Sequence, residues 1–214
     1  DGEAVATLCA LFLRSDDEAY RVIVQVGSVE STGWQEIGSE GVPPTGATHL
    51  SLMLTAVGNS GAAAFDDLVV ELVESASRHI CILSPSLDHE VFDRREVSEA
   101  LAALARRGRE SLVRILVSDA RPIVQRGHLL LQLARRLPSS VKLQKIAEHP
   151  DWNGQTFVLR DRDGVLYKPG DADHEGFYEP DSRASAQKHA DLFEELWRYS
   201  EADIELITLY ERTM

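Results

Sequence analysis

The sequence predicts two modules: a small all-β unit over residues 1–65, and an α/β domain over residues 66–214 in which helices flank a mixed sheet. Three observations lead there. Residues 1–64 carry only strand-like segments separated by turns. From His79 onward, apolar strands alternate with amphipathic helices in the order β-α-β-α-β-β-β-α, the pattern of helices packed on a sheet. Charge divides at the same place: residues 1–75 hold 12 acids and 2 bases, whereas residues 76–214 hold 23 acids and 20 bases.

In the first module, Val5–Leu13 and Tyr20–Gly27 are apolar and rich in strand formers. Thr48–Val57 alternates in part and places Leu50, Leu52 and Leu54 on one face. Turns fall at Ser31–Gly33, Val42–Gly46 and Gly58–Gly61. The hinge, Asp67–Arg78, fits a helix through Leu68, Leu72, Val73 and Ala76, and it also fits a strand through Val69, Val70 and Val73. We favour the helix, because a strand running straight into His79–Ser84 leaves little room for a turn.

In the second module, His79–Ser84 is the first apolar strand. Asp93 with Glu96 resembles a capping box, and Val97, Leu101, Leu104 and Ala105 mark the buried face of the helix that follows. Gly108 can stop that helix. Leu112–Val117 is a buried strand. Asp119 is placed to cap a single helix that runs to Pro138, with Pro122 in its first turn. Val141–Ile146, Thr156–Arg160 and Val165–Lys168 read as strands, the last two joined by the turn Asp161–Gly164. Asp181 opens a long helix with Ala186, Ala190, Phe193 and Trp197 inward, and Ser200 with Asp203 starts a short final one.

Composition bounds the function. Of 214 residues, 43% are hydrophobic and 27% charged, which suits a domain with a real core. No apolar run approaches the roughly 18 residues of a membrane span. The N-terminus lacks a basic region before its apolar stretch, so no signal peptide is expected, and a start at Asp1 suggests a fragment or processed product. Cys9 and Cys81 are the only cysteines, each in an apolar run where Cys acts as a small hydrophobe. They make neither a disulfide scaffold nor a zinc site. A net charge of −13 argues against nonspecific nucleic-acid binding and against anionic membranes.

Two stretches carry resemblances. Gly33-Trp34-Gln35, Val42-Pro43-Pro44-Thr45-Gly46-Ala47-Thr48 and Ala64-Phe65-Asp66-Asp67 resemble the closing strands of a carbohydrate-binding-type jelly roll. The resemblance implies a partial β-sandwich, an exported protein and a glycan ligand, with Trp34 and Tyr20 as stacking candidates. The second resemblance rests on Ile80–Pro85 with Leu87-Asp88, Phe92-Asp93, Arg114–Val117, Arg126–Leu130, Ala134–Ser139, Glu175-Gly176-Phe177 and Phe193–Trp197. This stretch is similar to an uncharacterised bacterial family with a phospholipase-D-like fold, which implies a cytoplasmic protein. It covers more of the chain than the first.

Enzymes of phospholipase-D type use His-x-Lys-x4-Asp, in which His attacks phosphorus and Lys stabilises the phosphoryl charge. Setting Asp161 in the Asp position puts Gly154 in the His position and Thr156 in the Lys position. Nucleophile and cation are both missing, so no catalytic residue is assigned and phosphodiester cleavage is not expected. His149 is close by but has no Lys two residues on.

Candidate ligand residues follow from position. Ser84, Ser118 and Asp119 follow the first two strands of the α/β domain, where ligands of open α/β sheets bind; the plainer reading is that the serines make turns and Asp119 caps a helix. Gly127 inside a helix costs about 1 kcal/mol relative to Ala, which suggests a close backbone approach. His128 then shares a face with Val124 and Leu131, either facing a phosphate or carboxylate with Arg126 and Arg135 as partners, or bonded within the core. Ser84, Asp119 and His128 could make a nucleophile, orienter and base, the enzyme alternative. Asp171, Asp173, His174 and Glu175 lack regular ligand spacing and read as a solvated loop, so no metal or cofactor is expected. Glu194 and Arg198 read as an exposed helical pair. The favoured function is a non-catalytic binding or interaction module, taking a small anionic ligand or a protein partner.

Overall fold

A computed structural model describes residues 5–13, 24–30, 49–57, 65–146, 149–170, 175–203 and 206. The α/β domain is a sheet with helices on both faces. Its strands are β4 (His79–Ser84), β5 (Leu112–Val117), β6 (Val141–Ile146), β7 (Thr156–Arg160), β8 (Gly164–Lys168), β9 (Glu175–Glu179) and β10 (Ser200–Glu201). Three more strands, β1 (Val5–Leu13), β2 (Val24–Glu30) and β3 (His49–Val57), precede them. The helices are α1 (Phe65–Glu74), α2 (His89–Phe92), α3 (Arg95–Arg106), α4 (Arg121–Arg126), α5 (Leu129–Arg136) and α6 (Arg183–Arg198).

Strands β4, β5 and β6 are parallel, as expected of strands joined by helical crossovers. Strand β7 runs antiparallel against the other edge of β4, and β8 and β9 continue as antiparallel neighbours. Strand β10 adds antiparallel to β6. In the direction of the first module, β3 pairs with β9 (Leu52 opposite Tyr178) and β1 lies between β3 and β2.

Alternation along the strands sorts the core into two layers. Ile80, Ile82, Val113, Ile115, Val158 and Leu166 face a layer built with α1, α3 and α5, whose Leu72, Leu101 and Leu130 are fully buried. Cys81, Leu83, Leu116, Phe157, Leu159 and Val165 face α6 through Ala186, Phe193 and Leu196. Gly164 lets α1 lie close to the sheet: a Cβ there would stand 2.7 Å from Leu72 Cδ1.

Several elements differ from the sequence expectation. The helix after β5 is two helices. Gly127, at φ 79°, ends α4, and His128 is extended and starts α5. Gly127 is therefore a chain reversal that needs a left-handed residue. It makes no close approach: nothing lies within 4 Å of a Cβ placed there. Asp93 does not cap α3, whose N-cap is Arg94; instead Asp93 Oδ1 accepts the N–H of Leu129 across the domain (2.7 Å). Glu175–Glu179 is a strand, and Ser200–Glu201 is a strand rather than a helix start. Glu194 turns from Arg198 to Arg114, whose guanidinium also lies over the Phe193 and Trp197 rings. Phe65-Asp66-Asp67 opens α1 instead of closing a jelly-roll strand. The other residues that carry the jelly-roll resemblance, with Trp34 and Tyr20, lie outside the described residues, as do Asp171, Asp173 and His174.

Candidate binding site

The C-terminal ends of β4 and β5 and the start of β7 meet at one edge of the sheet. Ser84 and Ser118 end the first two strands, and the chain between them is tied by Pro85, whose carbonyl accepts the N–H groups of Ser118 (3.1 Å) and Asp119 (2.9 Å). Ser84 is fully buried, and its Oγ accepts the N–H of Leu87 (2.9 Å). The Ser118 hydroxyl donates to Pro85 O (3.3 Å). Asp119 makes no contact with His128 that places it in a triad. Its carboxylate accepts the N–H and guanidinium of Arg121, which together hold it below the usual carboxylate range. Alanine 120, not Asp119, is the N-cap of α4.

His128 is buried at the head of α5. Its Nδ1 accepts the N–H of Leu130 (3.1 Å), an N-cap formed by an imidazole, while Nε2 is buried with no well-formed hydrogen bond among the described residues, although the Leu87 backbone also acts on the ring. The His89 ring stands edge-on at 5.0 Å, and Asp93 Oδ1 lies 3.7 Å from Nδ1. Burial pushes the imidazole down to about 4; Asp93 opposes the shift and His89 adds to it. Burial thus disfavours the charged imidazole, and through Nδ1 the ring caps α5. Arg126 is exposed, and Arg135 donates to Leu206 O (3.1 Å).

Two buried polar residues that carry no sequence motif join this edge. Lys168 ends β8 at 6% exposure and lies 3.5 Å from Asp88 Oδ2. Thr156, at 3% exposure, is its direct partner across β7 and β8. Both continue the face of Val158 and Leu166, and Ser84 continues the same face from Ile82. Leu87, between Ser84 and Asp88, has φ 53°, which is rare for a residue with a branched side chain.

An open groove of about 560 Å³ adjoins this edge, lined by Ser118, His149, Pro150, Trp152 and Gly154. At its rim, His149, Asp151 and Glu195 bring three ligand-type atoms within 4.8 Å of one another. His149 and Asp151 are two apart in sequence, but Glu195 arrives from α6, so spacing alone does not reveal the group. The Trp152 indole donates to Gln155 O (2.9 Å). Cys81 is buried under Arg114, and burial raises its thiol to about 11, consistent with an inert core residue.

The opposite end of β7 is closed by Asp161. Its carboxylate accepts the backbone N–H groups of Ser77 (2.7 Å), Arg78 (2.9 Å) and His79 (2.8 Å). Burial raises this carboxyl, and the three donors outweigh that and hold it below its ordinary value.

The mixed sheet flanked by helices on both faces has a phospholipase-D-like fold. Among solved structures, the chain is similar to phosphatidylserine synthase from Haemophilus influenzae (TM-score 0.52, 12% identity, 84% of this chain and 42% of that one). It is also similar to Nuc, a phospholipase D family member from Salmonella typhimurium (TM-score 0.48, 16% identity, 63% of this chain and 88% of that one). A third similar structure is TrmBL2, an archaeal chromatin protein described with a novel mode of DNA binding (TM-score 0.46, 13% identity, 66% and 51%). The chain belongs to the family described as "Domain of unknown function (DUF7931)", whose model matches residues 61–209. No functionally curated protein matches it in sequence. Among the described residues, no helix is long and apolar enough to cross a membrane.

Proposed function

We propose that the α/β domain is a non-catalytic binding module whose ligand meets the edge formed by β4, β5 and the start of β7. One observation carries this reading. The positions that should supply a nucleophile and a cation hold Gly154, which has no side chain, and Thr156, which is buried. The strands around them keep their pairing, which supports a binding scaffold that works without the motif. The expectation of no nucleic-acid partner rests on charge alone, and short single-stranded DNA therefore belongs among the ligands tried.

The alternative of relocated hydrolysis around Ser84, Asp119 and His128 is weaker, because Asp119 is paired with Arg121 and His128 Nδ1 with the Leu130 N–H. Glycan binding by the first module stays a separate proposal that rests on Trp34. The test of the leading reading is turnover of an activated phosphodiester by the whole chain. We expect none. Turnover that a substitution within residues 76–214 abolishes would overturn the reading.

A further inference from the structure

We propose that His149, Asp151 and Glu195 form a binding site for one divalent transition-metal ion of the zinc class, at the rim of the groove beside β7. The site stands apart from the binding reading above and holds whether or not the groove takes an organic ligand.

Three donors of the right kind meet there. Among the described residues, one ligand atom from each of these side chains lies within 4.8 Å of the other two. Nδ1 of His149 is 3.8 Å from Oδ2 of Asp151. Two ligands on one tetrahedral zinc ion, each roughly 2.0–2.2 Å from the metal, stand about 3.4 Å apart. Closing the set around an ion therefore takes a movement of about 1 Å, which two carboxylates on exposed residues can supply.

The imidazole is the fixed point. The His149 side chain is 13% exposed, and its ring packs against that of Tyr199 at 5.4 Å. The turn that carries His149 and Asp151 is closed by the N–H of Trp152, which donates to His149 O (3.1 Å). Nδ1 accepts the N–H of Asp151 at 3.3 Å, beyond the roughly 2.7–3.2 Å of a good hydrogen bond. An ion that takes this lone pair displaces only a weak contact.

Glu195 is brought in by the core. It lies on α6 between Phe193 and Leu196, both buried against the sheet, so its backbone position does not depend on a surface loop. One residue earlier, Glu194 is held by Arg114 (3.0 Å). Among the described residues, no lysine or arginine pairs with Glu195 or Asp151. Two carboxylates thus converge on one imidazole with no basic side chain to balance them. Like charges so placed repel, and a bound cation replaces the repulsion with coordination.

The donor set defines the metal class. Imidazole together with carboxylate suits zinc and its neighbours, whereas calcium and magnesium prefer oxygen ligands throughout. Three protein ligands leave the fourth tetrahedral position to water or to a ligand group. His149 also lines the groove of about 560 Å³, which gives an ion an entry path from solvent.

The test is calorimetric titration of zinc chloride into the full chain, freed of metal by chelation and dialysis, in a buffer that does not bind metal. We expect one zinc ion at this site, bound at least tenfold more weakly by each of His149→Ala, Asp151→Asn and Glu195→Gln. Glu195→Gln decides, because it keeps the size of the side chain and removes the charge that α6 contributes. An affinity unchanged in Glu195→Gln, or no binding to the wild type, overturns the site. Calcium at the same concentration should leave the zinc in place, and displacement by calcium overturns the nitrogen ligand and the site with it.

Should the variants fail to fold, the wild type answers through the nitrogen resonances of its imidazoles. Zinc should shift those of His149 more than those of any other histidine. A shift confined to other histidines places the ion elsewhere and overturns the proposal.

Discussion

Strand β7 ends in two pieces of polar chemistry of opposite character. At its C-terminal end, Asp161 is saturated by three backbone donors, and its neighbour Arg160 reaches Asp163 and Pro180 O. At its N-terminal end, Thr156 and Lys168 are buried near Asp88, a leucine at positive φ and the buried His128 imidazole. The first end is built to hold β4 and β7 together. The second gathers buried polar side chains from β4, β7 and β8. The comparison teaches that one strand can be closed at one end by a carboxylate that backbone donors satisfy and at the other by buried polar side chains.

The largest expected effect tests the N-terminal end. His128 is held at about 4 in the folded chain against 6.5 unfolded, so below 6.5 the unfolded chain takes up a proton that the folded chain refuses. Stability therefore falls as pH drops from 6.5 to 4, by on the order of 3 kcal/mol, and this contribution is flat outside that window. Urea unfolding at a series of pH values should show that slope, and His128→Asn, which can cap α5 without titrating, should flatten it. A slope unchanged in the variant assigns it elsewhere.

Next comes the C-terminal end. Asp161→Ala removes the acceptor of three N–H groups and should cost about 2 kcal/mol, less than three full hydrogen bonds because water reaches the site. A loss under about 0.5 kcal/mol in urea unfolding contradicts the closing role assigned to this residue. Beside it, Gly164→Ala pushes a methyl into Leu72 and should cost about 1–2 kcal/mol, relieved by Leu72→Val in a double-mutant cycle.

Much of the α/β framework was legible from periodicity. Strands β4, β5 and β6 are short apolar runs between amphipathic helices, and α6 shows its buried face through Ala186 and Phe193. What stayed hidden has physical reasons. Gly127 lies in an amphipathic run whose face continues through Leu131, so the break shows only in φ. Strand β9 follows an acidic stretch that reads as loop, and β10 is two residues held by pairing with β6. At the candidate site, Ser84 and Ser118 could be found because they end strands. Lys168 could not: nothing local distinguishes it, and it becomes a candidate only when the register sets it beside Thr156. Glu195 joins His149 and Asp151 for the same reason, through the packing of α6.

The position of β4 governs how the chain can be made. Its neighbours are β5, which leaves the ribosome soon after it, and β7, which begins at Thr156. Until Arg160 has been synthesised, the apolar Ile80–Ser84 segment has one open edge, the kind of edge that recruits other strands. Any shortened version that stops after β6 keeps that edge, and aggregation rather than a smaller soluble domain is the outcome to expect from it.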